Sequence, residues 1–197
     1  MLRLNGLKVS VIRRCNVIVQ APNSHAIATQ SGRLAAASGV NLFEGDILTD
    51  DEVEEFLCTQ PKFDAVAVWL VGTHPLRFEC YNIHELNIQN TGDYRLFVQN
   101  KAYELANRIL RIGGVLHIID RGEIPTTEEL RNDCLNSHRE QANGMHTSME
   151  VQETLEFNEY TETDSPTRLP MFATPSLIGR TADMSHVCMR SIIAVKK

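Results

Sequence analysis

Short β-branched runs alternate with longer stretches of helical periodicity along most of the chain. Residues 7–12 (LKVSVI) and 16–20 (NVIVQ) have strand composition, and Ala21-Pro22-Asn23 closes the second run with turn residues. Ser24 can cap a helix reaching about Ser38, rich in Ala with Ile27 and Leu34 on one side, and Gly39 stands where a C-terminal cap is expected. VNLF (40–43) predicts another strand, ending at Glu44-Gly45-Asp46. Thr49 caps an acidic first turn of Asp50, Asp51 and Glu52, which suits the positive end of a helix dipole. Val53, Phe56 and Leu57 give that helix an apolar face, Pro61 stops it, and the acidic run to Glu55 reads as a solvated face. FDAVAVWLV (63–71) is nearly all apolar, as in a parallel strand covered on both faces.

The clearest helical period runs from Tyr94 to Arg111, where Leu96, Phe97, Tyr103, Ala106, Ile109 and Leu110 predict a core-facing stripe. Gly113-Gly114 is expected to end the helix, and VLHIID (115–120) to form a strand. Thr127, followed by Glu128 and Glu129, opens a helix to about Arg139. This alternation predicts an α/β fold, a mostly parallel three-layer sandwich with helices on both faces of the sheet. Residues 147–160 predict a strand, 161–183 a loop, and HVCMRSIIAV (186–195) a terminal strand. Two late strands without an intervening helix predict an antiparallel hairpin at the sheet edge. One domain spanning 1–197 is expected.

Composition narrows the function classes. The 197 residues carry a formal net charge of −6, with no basic run longer than Arg13-Arg14 and Lys196-Lys197. Phosphate binding rests on clustered Lys and Arg, so neither a nucleic-acid binder nor a membrane-surface binder is expected. Cys15, Cys58, Cys80, Cys134 and Cys188 are odd in number and scattered, which fits reduced thiols. His138 and His146 have no companion cysteine at zinc-finger spacing, so no metal site is predicted. The start MLRLNGLKVSVIRR lacks a continuous apolar core and a cleavage site, which makes a cytoplasmic protein the expectation.

Residues 16–120 resemble the middle and later motifs of the class I S-adenosylmethionine (SAM) methyltransferases. NVIVQAPNSHAIA is similar to that family's second strand and following helix, VNLFEGDIL to its third strand with a Gly-Asp ending, and FDAVAVWLVGTH to its fourth. ANRILRIGGVLHIIDRGE resembles the stretch running into the fifth strand, and SIIAVKK the last strand. The family also carries a glycine-rich turn after its first strand. None of the 11 glycines here forms a GxG, and only 15 residues precede NVIVQ. A strand, a glycine turn and a helix need about 20 residues or more. The amino-terminal βα unit is therefore expected to be incomplete, with 1–15 as a replacement or remnant strand.

Ligands of open α/β sheets bind beyond the carboxyl ends of the strands, which independently selects the same residues. The resemblance implies SAM as cofactor. It places Gln20 at the ribose hydroxyls and Asp46 at the adenine amino group, with Ile47 beside the ring. Trp69, Leu70, Val71 and Gly72 would line the cofactor and transfer crevice. Thr73 and His74 would meet or deprotonate a small-molecule acceptor, histidine being the usual base near neutral pH. Each has a plainer reading: a polar strand end for Gln20, turn chemistry for Asp46, core for Trp69 and a loop position before Pro75 for His74. Asp120-Arg121 reads either as substrate mouth or, the favoured reading, as a surface ion pair.

A non-catalytic methyltransferase-like binding or scaffold module is the rival expectation, favoured by the missing glycine turn. An NAD(P)-binding short-chain dehydrogenase-like protein is a further alternative, suited by TDDEVEEFL. Against it, none of the four tyrosines has a lysine four residues later. Walker A and GxSxG patterns are absent from the sequence. A homodimer is left open.

Overall fold

A computed structural model describes residues 17–20, 41–44, 47–48, 51–69, 86–159 and 187–197. The predicted strand 7–12, helix 24–38 and loop 161–183 lie outside them. The described elements run in the order β1 (Val17–Gln20), β2 (Asn41–Glu44), α1 (Asp51–Thr59), β3 (Phe63–Trp69), α2 (Thr91–Ile109), β4 (Leu110–Glu123), α3 (Glu128–Gly144), β5 (Met149–Glu159) and β6 (Val187–Lys196).

Two sheets result. β1 and β2 form a parallel pair, while the other four strands are ordered β3-β4-β6-β5. β3 and β4 are parallel, and β6 runs antiparallel to both β4 and β5. The predicted hairpin is present, with β6 joining the sheet and β5 outermost. Parallel strands need a crossover, and α2 supplies it between β3 and β4.

One side of the four-stranded sheet packs against the helices. Leu116 and Ile118 of β4, Ile192 and Ala194 of β6 and Val151 and Leu155 of β5 pack with Tyr103 and Ala106 of α2 and Leu135 and Ala142 of α3. Val53 and Leu57 of α1 pack against Leu105 and Ile109 of α2, next to Phe63 and Val66. At about 25 cal/mol per Å2, each fully buried Leu, Ile or Val among them contributes roughly 1.5–3 kcal/mol. The three described helices thus lie over one face. On the other, Val115, His117 and Ile119 are half-buried.

Three expectations need correction. Leu96 and Phe97 are not core, at 44% and 40% exposed. The buried residues of α2 (Tyr94, Val98, Ala102, Leu105, Ile109 and their neighbours) already occupy about half its circumference at 100° per residue, and Leu96 and Phe97 fall outside that arc.

Gly113-Gly114 does not end the helix, which stops at Ile109. The glycines lie in an irregularity of β4. Phe63 pairs with Leu110 and Ala65 with Val115, so Asp64 alone faces residues 111–114. Gly113 has φ +74°, and a Cβ on Gly114 would stand 2.8 Å from the Arg111 carbonyl oxygen, so both positions suit glycine. Arg111 Nε closes the bulge on Asp64 Oδ1 at 2.5 Å.

The third correction concerns Asp120, which forms no surface pair with Arg121. It is 5% exposed and pairs with a different arginine. Adjacent strand residues point to opposite faces, so Asp120 and Arg121 cannot share one.

Candidate functional site

Of the residues singled out from the sequence, Gln20 and Trp69 stand at the carboxyl ends of described parallel strands. In the β1–β2 pair, Gln20 stands opposite Glu44 in parallel register. Ile47, just past β2, is half-buried and packs against the clusters around Val53 and Leu57 and around Ile88, Tyr94 and Val98. Trp69 ends β3 opposite Ile119, one residue before Asp120. Asp46, Leu70, Val71, Gly72, Thr73 and His74 lie outside the described residues. Among the described residues, backbone pairing brings Gln20 beside Glu44 and Trp69 beside Ile119, in separate sheets.

A second cluster stands at the end of β4, on the helix-covered side. Asp120 Oδ2 accepts a hydrogen bond from Gln99 Nε2 at 2.7 Å and forms an ion pair with Arg95 Nε at 3.3 Å, and its Oδ1 accepts from the Arg121 amide at 2.7 Å. Arg95 and Gln99 lie one turn apart on α2, so one helix face delivers both. Arg190 of β6 is the strand partner of Asp120. Its guanidinium crosses Gly122, where a Cβ would stand 2.2 Å from Cζ. Arg95 and Arg190 each donate to the Arg121 carbonyl at 3.4 Å.

The charge of this cluster sets its neighbours. Burial pushes the Cys134 thiol of α3 above its ordinary value, while Arg190, which hydrogen-bonds it, pulls the other way. Burial lowers His138 to about 4, with Arg190 and Arg95 adding to the shift. His138 Nδ1 shares a 3.1 Å hydrogen bond with the Tyr103 hydroxyl. Burial also pushes Cys188 up to about 11, and its thiol donates to the Glu123 carbonyl at 3.5 Å.

Neither Arg95, Gln99, Cys134 nor Arg190 stood out in the sequence. Arg190 had a signal. Cys188, Arg190, Ile192 and Ala194 share one side of a strand, and a single charge among inward apolar positions marks a buried polar contact.

A surface hollow of about 550 Å3 is lined by Asp51, Glu54, Glu55, Cys58, Thr59 and Arg108. Arg108 lies just before β4 begins, at the amino end of the sheet, so this hollow is not at the carboxyl ends. Glu54 in it is already paired with Lys101 and Arg108. Among the described residues, no group of three or more His, Cys, Asp or Glu could hold a metal ion. No described helix is long and apolar enough to cross a membrane.

Neither a family model nor a curated protein matches the chain. Among solved structures it is similar to a precorrin-6y C5,15-methyltransferase from Geobacter metallireducens GS-15, at 12% identity and TM-score 0.43 over 92% of this chain and 66% of that one. A 16S rRNA (adenine(1408)-N(1))-methyltransferase from Catenulisporales acidiphilia matches at 15% identity and TM-score 0.45, over 91% and 75% of the two chains. A sarcosine dimethylglycine methyltransferase from Galdieria sulphuraria matches at 11% identity and TM-score 0.45, over 92% and 69%. The chain thus spans about two thirds to three quarters of these proteins.

Proposed function

We propose that the chain is a SAM-dependent methyltransferase of the class I type, acting in the cytosol on a small-molecule acceptor. The observation that carries this reading is the parallel pairing of β1 with β2, which sets Gln20 opposite Glu44 in the order the resembling motifs require. The donor set fits a nucleoside: an amide at Gln20 for hydroxyls, a carboxylate at Asp46 to accept from an amino group, and the apolar edge of Ile47. Trp69 to Gly72 would line the rest of the cofactor site. SAM, when bound, supplies an electrophilic methyl group. The chain's own residues then need only orient the acceptor and take its proton, work that falls to Thr73 and His74.

A second reading has its own observation. Gln20, where the resemblance implies a ribose-binding residue, carries an amide without the charge that makes such hydrogen bonds strong, and β3 has one strand neighbour among the described residues. A non-catalytic module that keeps the fold and binds a partner is consistent with both.

Calorimetric titration separates them. The enzyme reading predicts SAM binding with a Kd below about 100 μM, or about 5.5 kcal/mol. Asp46→Ala then weakens it by about 1–3 kcal/mol, the cost of an unpaired amine donor. No heat with SAM would overturn the enzyme reading, and heat with NADPH alone would favour the dehydrogenase-like alternative.

A further inference from the structure

We propose that Arg190 forms a binding subsite for an oxyanion, a carboxylate or phosphate on a small molecule, at the carboxyl end of β4. The charge count comes first. Asp120 is ion-paired with Arg95 at 3.3 Å, and among the described residues no carboxylate lies within ion-pair distance of Arg190. Arg190 instead donates one long hydrogen bond, 3.4 Å, to the Arg121 carbonyl and another to the Cys134 sulfur. Its Nε is buried and has no partner. A buried N–H donor left without an acceptor is unfavourable, and an anion bound there would supply one. Guanidinium also presents its N–H groups in a planar fork matched to carboxylate and phosphate oxygens.

The surroundings hold the fork in place. Gly122 leaves room for the guanidinium against β4, because a Cβ there would stand 2.2 Å from its Cζ. Asp120 is fixed by Gln99, Arg95 and the Arg121 amide, so it is not free to swing onto Arg190. Arg190 is half-buried, so part of it remains open to solvent. Asp120, its strand partner, follows Ile119, which pairs with the last residue of β3. On the methyltransferase reading, on which this assignment to a substrate rests, the anion belongs to the acceptor. Anion binding itself does not require SAM.

The test is a titration of the full chain without SAM, using inorganic phosphate in one series and malonate in another, at constant ionic strength with chloride as the control. The readouts are the thermal midpoint and the Arg190 Nε–H signal in a nitrogen-15 spectrum. A saturable rise in midpoint with phosphate or malonate is expected, together with a shift of that signal. The responding anion identifies the oxyanion class. Arg190→Gln should abolish the saturable rise, and Arg190→Lys should weaken apparent affinity about tenfold, since a point charge cannot form the fork. Gly122→Ala, which keeps the charge but displaces the guanidinium, should weaken it at least fivefold. The proposal is overturned by no saturable response beyond chloride, by an unmoved Nε–H signal, or by an undiminished response in Arg190→Gln. Should the variants fail to fold, the wild-type signal alone decides. A positive result here with no SAM binding would sink the enzyme reading while leaving the subsite standing.

Discussion

His138 is held neutral by its surroundings. Burial first, then the charges of Arg190 and Arg95, takes it from 6.5 to about 4. The Tyr103 phenol and the Cys134 thiol beside it are both pushed up by burial and remain neutral as well. In the unfolded chain the imidazole gains a proton as pH falls through 6.5, while in the folded chain it waits until about 4. The unfolded state therefore binds more protons over that window, so this contribution to stability is complete above 6.5 and is lost toward about 4. The full loss is about 3 kcal/mol at 1.36 kcal/mol per unit. Urea unfolding at several pH values between about 7 and 4.5 checks this. Wild type should lose stability more steeply than His138→Gln, whose amide can still bond Tyr103, and parallel curves would contradict the account. None of this was legible in the sequence, where His138 was weighed only as a metal ligand. Its burial depends on which side of α3 meets the sheet, and a lone polar residue does not reveal that.

At the scale of elements, α2 shows what local chemistry determines. Asn90 caps it, its Oδ1 accepting from the Gly92 and Asp93 amides at 2.8 and 3.0 Å. Asp93 Oδ2 accepts from the Asn90 side-chain Nδ2 at 2.8 Å and from the Gln89 backbone amide at 3.3 Å. The helix thus starts at Thr91, three residues before the predicted Tyr94, because a helix-poor Thr-Gly pair is overridden by the cap. At the other end, Lys62 donates to the Arg108 carbonyl, and Lys196 to the carbonyls of Asn107 and Leu110. These ammonium groups satisfy otherwise unpaired helix-end carbonyls and meet the negative end of the dipole. Asn90→Ala and Lys196→Met should each cost about 1 kcal/mol. The two sites are far apart along α2, so the double variant should be additive within about 0.5 kcal/mol. Chemical denaturation of all four proteins would show it, and a change below about 0.3 kcal/mol in either single variant would remove that cap from the account. The Thr127 cap of α3 was readable in advance, and its side chain does accept from Leu130. Capping residues announce themselves in sequence, whereas carbonyls bound by lysines from distant strands do not.

At the scale of the molecule, the alternation of strands and helices was legible because each element carries its own period. β3, α2, β4, α3 and the late hairpin all stand close to where the pattern predicts them. The bulges were not legible. Met149, Val151 and Leu155 are the buried residues of β5, and the spacing changes because three residues there face Ile193 alone. Such irregularities arise from the partner strand's register, which one strand's sequence does not contain. The strand-end positions of Gln20 and Trp69 were legible, and the Arg190 cluster was not, since it joins residues 95 to 190 from four separate elements.

The central claim is that a nucleoside-bearing ligand binds across the carboxyl ends of the parallel strands. Hydrogen exchange with and without SAM, resolved by peptide, tests it most directly. The account predicts slowed exchange in peptides covering 17–20, 41–48 and 63–72, with α1 unchanged. Unaltered exchange at those strand ends, or protection confined to the hollow along 51–59, would contradict it.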